Sequence, residues 1–383
     1  MTGRVSSATA VACLTGLLLS CSPDRTEVAS TDNTPTPTKR GFVLTDFSFE
    51  QPESPQDACP QGFNQDEREF YLAGLTPDER AAENLPEGLA YLRLAYARGE
   101  TSQCDEPTAF EDPGHLTLDG PGVAAGFDLD GVTSTRENPG PAACPHEDFS
   151  SASGEPGIDN ALWRVLGCID GYQRGSTIDE YAIENIKAGG RTILIEITDL
   201  DDPQNDNDVG LGIYSSPDTL PTSAAGSPLP GGSLSVMEGP RYRNVARGAL
   251  VDGVLTAGPI DLRLEFDGQF LDSELHLQEA QIRLELTPDG GLRGLLGGYW
   301  DIEGYFESYA RQATRAGAFT VGFRCTAIYE ALARLADRYP DPETGACRAV
   351  STAFRIQAIP AFVVEPPSSS TAQMSKEPSS EAL

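Results

Sequence analysis

Strict alternation of apolar and polar residues in the second half of the chain constrains the fold more than any other feature. From Pro259 to Asp267 every second residue is apolar and its neighbours are mostly charged, and the pattern returns over 280–287. A period of two is that of a strand with one buried face. Sheets with one solvated face are typically antiparallel, and the turn sequence at 288–291 would lead into a further strand.

Capping boxes and apolar stripes at helical spacing predict helices, most of them before residue 190. These signals lie at 64–67, 76–79, 158–169, 177–187, 301–314 and 324–338. We therefore expect an α+β protein. A disulfide-bearing helical front half would be followed by an antiparallel, sandwich-like β domain with helices packed at one side.

The first twenty-one residues have the anatomy of an export leader. Arg4 precedes an apolar run from Ala8 to Leu19, which is shorter than the ~20 residues that cross a bilayer. The run ends in Leu18-Leu19-Ser20-Cys21, which resembles the lipobox of bacterial lipoproteins. The resemblance implies export, lipid attachment to Cys21 and cleavage just before it, and Ser22 after the anchor implies the outer membrane. A plain signal peptide is the alternative.

Composition divides the rest of the chain. Residues rich in Thr and Pro follow the anchor, as in an extended tether, and the C-terminus is rich in Pro and Ser. The expected organisation is a signal peptide over 1–20, an anchor and linker over 21–57, a helical and loop region with disulfides over 58–189, an antiparallel β domain over 190–364 and a disordered tail over 365–383.

The net charge limits the partners. The chain has 58 acidic against 27 basic residues, so polyanions would be repelled and a nucleic-acid partner is not expected. We expect the lipid bilayer as a partner through the acylated N-terminus, together with a protein or a glycan.

Six cysteines remain once Cys13 in the leader and the anchor are set aside. They are Cys59, Cys104, Cys144, Cys168, Cys325 and Cys347. An even number in an exported chain predicts three disulfides. The simplest pairing joins them in sequential order, although other pairings are open. The alternative is a zinc site built from Cys144, His146 and Cys168, for which the ligand spacing is poor.

The segment Gly126-Phe127-Asp128-Leu129-Asp130-Gly131-Val132-Thr133 resembles the first motif of haloacid dehalogenase-like phosphatases. The resemblance implies that Asp128 attacks phosphorus, that Asp130 protonates the leaving group and that the pair holds magnesium. In that family the motif ends a buried parallel strand. The preceding residues 121–125 form a poor strand sequence.

The same residues also predict a calcium-binding loop, because calcium takes six to eight oxygen ligands. A second acidic run covers 199–208. The expected calcium ligands are Asp128, Asp130, Asp159, Asn160, Asp206 and Asp208. The alternative is that these are exposed acidic turns, with Asp159 capping a helix.

No complete catalytic motif is present, and His115, His146 and His276 are each interpreted as surface residues. We therefore expect a lipid-anchored envelope protein that serves as a non-catalytic binding or structural module stabilised by calcium. The alternative function is that of a secreted metal-dependent hydrolase with an acidic site around Asp128 and Asp130.

Overall fold

The computed structural model describes residues 38–50, 59–65, 73, 75–82, 103–267, 272–311 and 324–366. Strands dominate these residues, and helices account for a minor share of them. The strands are β1 (Thr38–Phe49), β2 (Phe149–Ser150), β3 (Pro156–Ile158), β4 (Ile193–Leu200), β5 (Asp206–Ser215), β6 (Ser233–Ser235), β7 (Arg243–Val251), β8 (Val254–Asp267), β9 (Asp272–Leu286), β10 (Leu292–Asp301), β11 (Arg338–Pro340), β12 (Cys347–Pro360) and β13 (Phe362–Val364).

The helices are short. They are α1 (Pro77–Ala82), α2 (Ala161–Leu166), α3 (Thr177–Lys187), α4 (Ile302–Tyr305) and α5 (Cys325–Leu335), with 3-10 turns at Pro107–Ala109 and Asp170–Tyr172 and a π turn at Phe306–Arg311. The expected capping box at 76–79 is present in α1. Thr76 N donates to the Glu79 carboxylate at 2.9 Å and Glu79 N donates to Thr76 Oγ1 at 3.3 Å.

Eight strands form a closed antiparallel barrel in the order β1, β4, β5, β7, β8, β9, β10 and β12. The ring closes because β12 pairs with β1, in a register that places Phe47 opposite Ile356. Strand β11 extends the sheet beside β12, and the pairs β13–β6 and β2–β3 lie in small separate sheets. Closure leaves few unpaired strand edges.

The expected helical front half and sandwich-like β domain are therefore wrong. The predicted strands at 259–267 and 280–286 are present in β8 and β9, but they belong to a barrel. In the front half, the expected helices at 158–169 and 177–187 are present in α2 and α3, but residues 103–160 form only turns, short bridges, the strands β2 and β3 and one 3-10 turn. Gly and Pro are frequent there, and apolar residues are too widely spaced to bury one face of a helix.

Strand β1 falls in the segment that we expected to be a linker. Phe42, Leu44 and Phe47 are all buried, and the Phe47 ring stacks on Phe354 with centroids 4.7 Å apart. Burial of aromatic rings supplies much of the free energy that holds the strand in the barrel. This part of the linker assignment is corrected to a structural strand.

The expected three disulfides are present, but the sequential pairing is wrong. The bonds are Cys59–Cys168, Cys104–Cys325 and Cys144–Cys347. Each bond closes a loop of more than one hundred residues and joins the front half either to itself or to the second half. The zinc alternative is also contradicted, because Cys144 and Cys168 are both oxidised.

Alternation along β10 and β12 divides their side chains between two faces. Leu296, Trp300 and Phe354 are buried in the main hydrophobic core. The opposite face carries Tyr299 and Ala349, which belong to a separate apolar cluster. Phe127 and Leu129 of the front-half coil pack on this second face and fix the position of that part of the coil.

The expected lipidation site Cys21 and the leader lie outside the described residues. Among the helices that the structure does describe, none has the length and apolarity needed to cross a bilayer. The first residue of the expected tail is ordered, since Glu365 accepts hydrogen bonds from the Arg243 guanidinium at 2.8 Å. Residues beyond 366 lie outside the description.

Candidate metal centre

Four polar side chains of the front-half coil converge near β10 and β12. They are Asp130, His146, Asp148 and Asp159. Apolar residues on either side of Asp128 fix the first loop, since Phe127 and Leu129 cluster with Tyr299 and Ala349. Asp130, which directly follows the second anchor, is thereby held close to the sheet.

The Phe127 anchor depends on a glycine in β10. A Cβ atom at Gly297 would lie 2.6 Å from the Phe127 ring, so only glycine admits this contact. Arg283 lies over the same ring, with its guanidinium carbon 5.3 Å from the centroid. The Phe127 carbonyl accepts a hydrogen bond from Asp159 N at 2.8 Å, which joins the loop to the start of α2.

The Nε2 atom of His146 lies at the centre of the cluster. It is 3.4 Å from Asp148 Oδ1, 3.5 Å from Asp159 Oδ1 and 3.8 Å from Asp130 Oδ2. The ligand atoms of Asp130, His146 and Asp159 all lie within 4.8 Å of one another. Donor atoms around a tetrahedral ion with bonds of about 2.1 Å are about 3.4 Å apart. The spacing therefore fits donors that share one metal ion.

Each carboxylate uses one oxygen to accept backbone hydrogen bonds and turns the other toward His146. The bonds are Leu129 N to Asp159 Oδ2 at 2.7 Å, Ser134 N to Asp148 Oδ2 at 2.5 Å and Val132 N to Asp130 Oδ1 at 2.8 Å. Outer contacts of this kind orient metal ligands in proteins. They also fix the carboxylates in an arrangement that brings like charges together.

The orientation of the His146 ring is set by a backbone carbonyl. Its Nδ1 atom lies 2.9 Å from the Cys144 oxygen, and because a carbonyl only accepts, Nδ1 must carry the proton. The lone pair of the neutral ring is then on Nε2, the atom that faces the carboxylates. Cys144 is itself held by its disulfide to Cys347.

The four facing atoms are buried and unpartnered. The exposed fraction of the side chain is 9% for His146, 3% for Asp130, 2% for Asp148 and 1% for Asp159. None of these atoms has a hydrogen-bond partner in the described part of the chain. Buried polar atoms without partners are costly. One imidazole proton cannot satisfy three carboxylates, whereas a divalent cation would contact all of them.

The pKa values reflect this excess of negative charge. Burial raises the pKa of the Asp148 carboxyl to about 7, and the nearby Asp159 carboxylate also raises it. Burial alone would lower the pKa of His146, but the Asp159 carboxylate, the Cys144 carbonyl and Asp337 outweigh it and raise the value to about 9. Burial likewise raises the pKa of Asp130. Without a cation, the site favours protonation.

A cavity of about 120 Å³ lies beside the cluster, and a further carboxylate, Asp337, lines it together with His146 and Asp159. Burial raises the pKa of Asp337 to about 7, and the Asp159 carboxylate also raises it. Asp337 Oδ1 accepts from Ser351 N at 2.9 Å, and Ser351 Oγ donates to Oδ2. Ser351 Oγ in turn accepts from Ala161 N at 2.8 Å, which connects β12 to the first turn of α2.

Among the six expected calcium ligands, the structure brings Asp130 and Asp159 together. Asp128 is adjacent but exposed, and its Oδ1 accepts from Gly131 N at 2.7 Å in a tight turn. Asn160 instead caps α2, with its side-chain oxygen accepting from Trp163 N at 3.2 Å. The helix-capping role that the sequence suggested for Asp159 is therefore performed by Asn160.

Asp206 and Asp208 lie at the start of β5, directly after the β4–β5 turn, and not in the cluster. The Asp206 carboxylate accepts from Asp201 N at 2.8 Å and from Asp208 N at 3.1 Å. Asp208 pairs with Arg247 at 2.5 Å. The charges of this turn are thus satisfied by backbone amides and an arginine, as in the alternative of an exposed acidic turn.

Sequence reasoning missed Asp148, and it considered His146 as a metal ligand only in the alternative zinc site with Cys144 and Cys168. His146 was interpreted as a surface residue, but it is nearly buried. The available signal was a histidine two residues after Cys144 and two before an aspartate, within a segment anchored by a disulfide. His146 and Asp148 lie 11 to 18 residues from Asp130 and Asp159 in the sequence, which concealed the contact.

The phosphatase resemblance of residues 126–133 does not extend to the fold. The motif lies in coil against an antiparallel barrel, whereas the family places it after a buried parallel strand. Asp128 and Asp130 also differ in their surroundings, because only Asp130 faces the cluster. The implied nucleophile is therefore without its structural context.

The stability gained from a metal ion is expected to increase with pH. Asp148 and Asp337 have folded pKa values near 7 against 3.8 for the ordinary group, and His146 has about 9 against 6.5. All three pKa values are higher in the folded protein than the ordinary values. The contribution of these groups to the stability of the metal-free fold is therefore complete at low pH and is lost as the pH rises toward 7 and then 9. Protons also compete with metal for the same atoms.

The measurement is the melting temperature with and without metal between pH 5 and pH 9. We expect the difference between the two forms to widen with pH, and Asp148→Asn to remove part of the pH dependence of the metal-free form. A difference that stayed constant or narrowed would contradict the electrostatic account of the cluster.

Comparisons with protein-family models, with curated proteins and with solved structures find no match to this chain, so the function of the cluster must be argued from its own geometry.

Proposed function

We propose that this chain is an exported, lipid-anchored envelope protein whose body binds one divalent metal ion. Asp130, His146 and Asp159 would hold the ion, with Asp148 as a further ligand. The observation that carries the proposal is the set of buried, unpartnered donor atoms that face each other while backbone amides hold the remaining carboxylate oxygens. The function is binding, and no catalytic step is assigned to the ion.

The donor set favours a transition metal over calcium. Imidazole nitrogen is a good ligand for zinc and related ions, carboxylates also suit manganese, and calcium selects oxygen ligands. One nitrogen with two or three carboxylates therefore points to Zn²⁺ or Mn²⁺. Calcium, which the sequence suggested, is kept in the proposal as the weaker competitor.

The ion would stabilise a coil that has little secondary structure of its own. All proposed ligands lie between residues 130 and 159, where the structure has only the short strands β2 and β3. An ion that binds only the folded state stabilises it by about 2.7 kcal/mol when its free concentration is 100 times the Kd. That is a large share of the net stability of a typical domain.

The direct test is calorimetric titration of the chelator-treated protein with Zn²⁺, Mn²⁺ and Ca²⁺ in turn. We expect one equivalent of Zn²⁺ or Mn²⁺ to bind, and Ca²⁺ to bind at least tenfold more weakly. Asp130→Asn should abolish tight binding, because its amide oxygen can keep the bond from Val132 N while its NH₂ group faces the ion.

Asp206→Asn is the matched control for this titration. Asp206 was also an expected metal ligand, but it is the first residue of β5 and its carboxylate accepts only backbone hydrogen bonds. Its replacement should leave the affinity unchanged. Failure of the native protein to bind any of the three ions, or equal loss in both variants, would refute the metal site.

The proposed export and anchoring rest on the leader and on the oxidised cysteines. Three disulfides favour an extracytoplasmic compartment, since thiols are kept reduced in the cytosol. A diacylated cysteine would hold the body stably on a bilayer. A protein or glycan partner stays a prediction of the sequence.

Replacement of the anchor tests this part of the proposal. We expect Cys21→Ser to move the protein from the membrane fraction to the soluble fraction after cell lysis, and to remove the mass added by lipid. Cys13→Ser, which alters the leader but not the anchor, is the control and should leave the protein membrane-bound. Native protein that carried no lipid would contradict the anchor.

A further inference from the structure

The cavity beside the cluster is small, and one of its walls is made by proposed metal ligands. Its volume is about 120 Å³, and His146, Asp148 and Asp159 all line it. Pockets for drug-sized ligands are typically about 300–1,000 Å³. The cavity therefore suits a group of a few heavy atoms that could reach an ion held by these three residues.

Two arginines without ion-pair partners also line this cavity. Arg136 and Arg334 are exposed, and neither guanidinium lies within 4.0 Å of a carboxylate oxygen in the described residues. Asp119 and Glu147 line the same cavity but pair with neither arginine. In a chain with a net charge of −31, unpaired arginines at one opening require an explanation.

Most other described arginines form ion pairs with carboxylates. Arg338 contacts Glu279 at 2.9 Å, Arg293 contacts Glu285 at 2.8 Å, and Arg355 contacts Asp46 at 2.6 Å. The two cavity arginines differ from these in facing open volume. Their guanidinium donors are available to a ligand that enters it.

A third arginine adds positive charge to the cavity wall without being neutralised by a carboxylate. Arg164 is buried, and its guanidinium donates to the carbonyl oxygens of Leu118, Gly120, Glu147 and Asp148 at 2.9–3.2 Å. These bonds fix the two coil segments that form the cavity. Its side chain is a rigid part of the wall, whereas Arg136 and Arg334 lie at the surface.

We propose that the cavity binds a phosphate group, with one oxygen on the metal ion and the others on Arg136 and Arg334. This inference rests on the proposed metal site. Arginine matches phosphate oxygens through parallel N–H donors, and a divalent ion supplies the positive charge that offsets the surrounding aspartates. Without the ion, those carboxylates would repel an anion. Phosphate binding should therefore require metal.

The test uses calorimetric titration of the full chain, saturated with Zn²⁺ or Mn²⁺, with inorganic phosphate and separately with glycerol 3-phosphate. We expect phosphate to bind the metal-saturated protein at least tenfold more tightly than the chelator-treated protein. Binding of glycerol 3-phosphate as well would show that the cavity accepts a terminal phosphate of a larger molecule. Binding of inorganic phosphate alone would identify the free ion as the ligand.

The double variant Arg136→Gln/Arg334→Gln should weaken phosphate binding at least tenfold while metal binding is unchanged. Arg40→Gln is the matched control, because Arg40 is also exposed and unpaired in the described residues but does not line the cavity. Metal binding without any phosphate binding would overturn this inference and leave the proposed function intact. Absence of metal binding would refute both.

Discussion

Replacing Asp159 by alanine is expected to abolish metal binding and to lower the stability of the metal-saturated protein by about 3–5 kcal/mol. Asp159 has two roles, and alanine removes both. Its Oδ1 faces His146, and its Oδ2 accepts from Leu129 N at 2.7 Å and from Asp130 N at 3.3 Å. Loss of the second oxygen leaves the Leu129 amide buried without its acceptor. The measurement is denaturant unfolding in the presence of excess Zn²⁺ or Mn²⁺.

The amide variant Asp159→Asn separates the two roles. Its side-chain oxygen can keep both backbone bonds, while its NH₂ group faces His146 and excludes a cation. With metal present, the variant should be less stable than the native protein because it cannot bind the ion. In the presence of chelator at pH 8, the difference in stability between the variant and the native protein should reverse or vanish, because the substitution removes one negative charge from a crowded, buried cluster.

Asp128→Asn is the control for both variants. Asp128 belongs to the same loop, but its carboxylate is exposed and accepts only from Gly131 N. This variant should retain metal affinity and stability within about 0.5 kcal/mol, as surface substitutions usually do. Retention of metal binding by Asp159→Ala would contradict the assignment of Asp159 as a ligand.

The local residue pattern of the sequence was sufficient to predict the strands at 259–267 and 280–286 and one helix capping box. Leu262 and Leu264 are fully buried, as alternation predicted, and Thr76 and Glu79 form their capping box. These features depend on neighbours within a few residues. Closure of the barrel does not depend on such near neighbours. It depends on β1 pairing with a strand more than three hundred residues away, and no local signal specifies that partner.

The candidate metal centre was predictable only in part for the same reason. Asp130 and Asp159 were recognised by residue type, since oxygen ligands are common in acidic loops. Their partner His146 is brought close by folding of the coil on β10 and β12, by the Phe127 contact at Gly297 and by the Cys144–Cys347 bond. The acidic run at 199–208 was richer in carboxylates, yet backbone amides and Arg247 satisfy Asp206 and Asp208 there.

Removal of the Cys144–Cys347 disulfide, by the double variant Cys144→Ser/Cys347→Ser, is expected to lower stability by about 2–4 kcal/mol and to weaken metal binding at least tenfold. The bond joins residues 203 apart and anchors the segment that carries His146. The Cys144 carbonyl holds the His146 ring through Nδ1. Without the bond, that segment gains conformational freedom which metal binding must then restrict.

The double variant Cys104→Ser/Cys325→Ser is the matched control. It removes a disulfide of similar sequence separation, 221 residues, which lies outside the ligand-bearing segment. We expect a comparable loss of stability but a much smaller loss of metal affinity, measured by titration under conditions where each variant is folded. Equal loss of affinity in both variants would mean that the Cys144–Cys347 bond acts only through global stability. Selective loss of affinity in the Cys144→Ser/Cys347→Ser variant would show that this bond positions His146. The oxidised state of the cysteines would then be connected directly to occupancy of the proposed metal site.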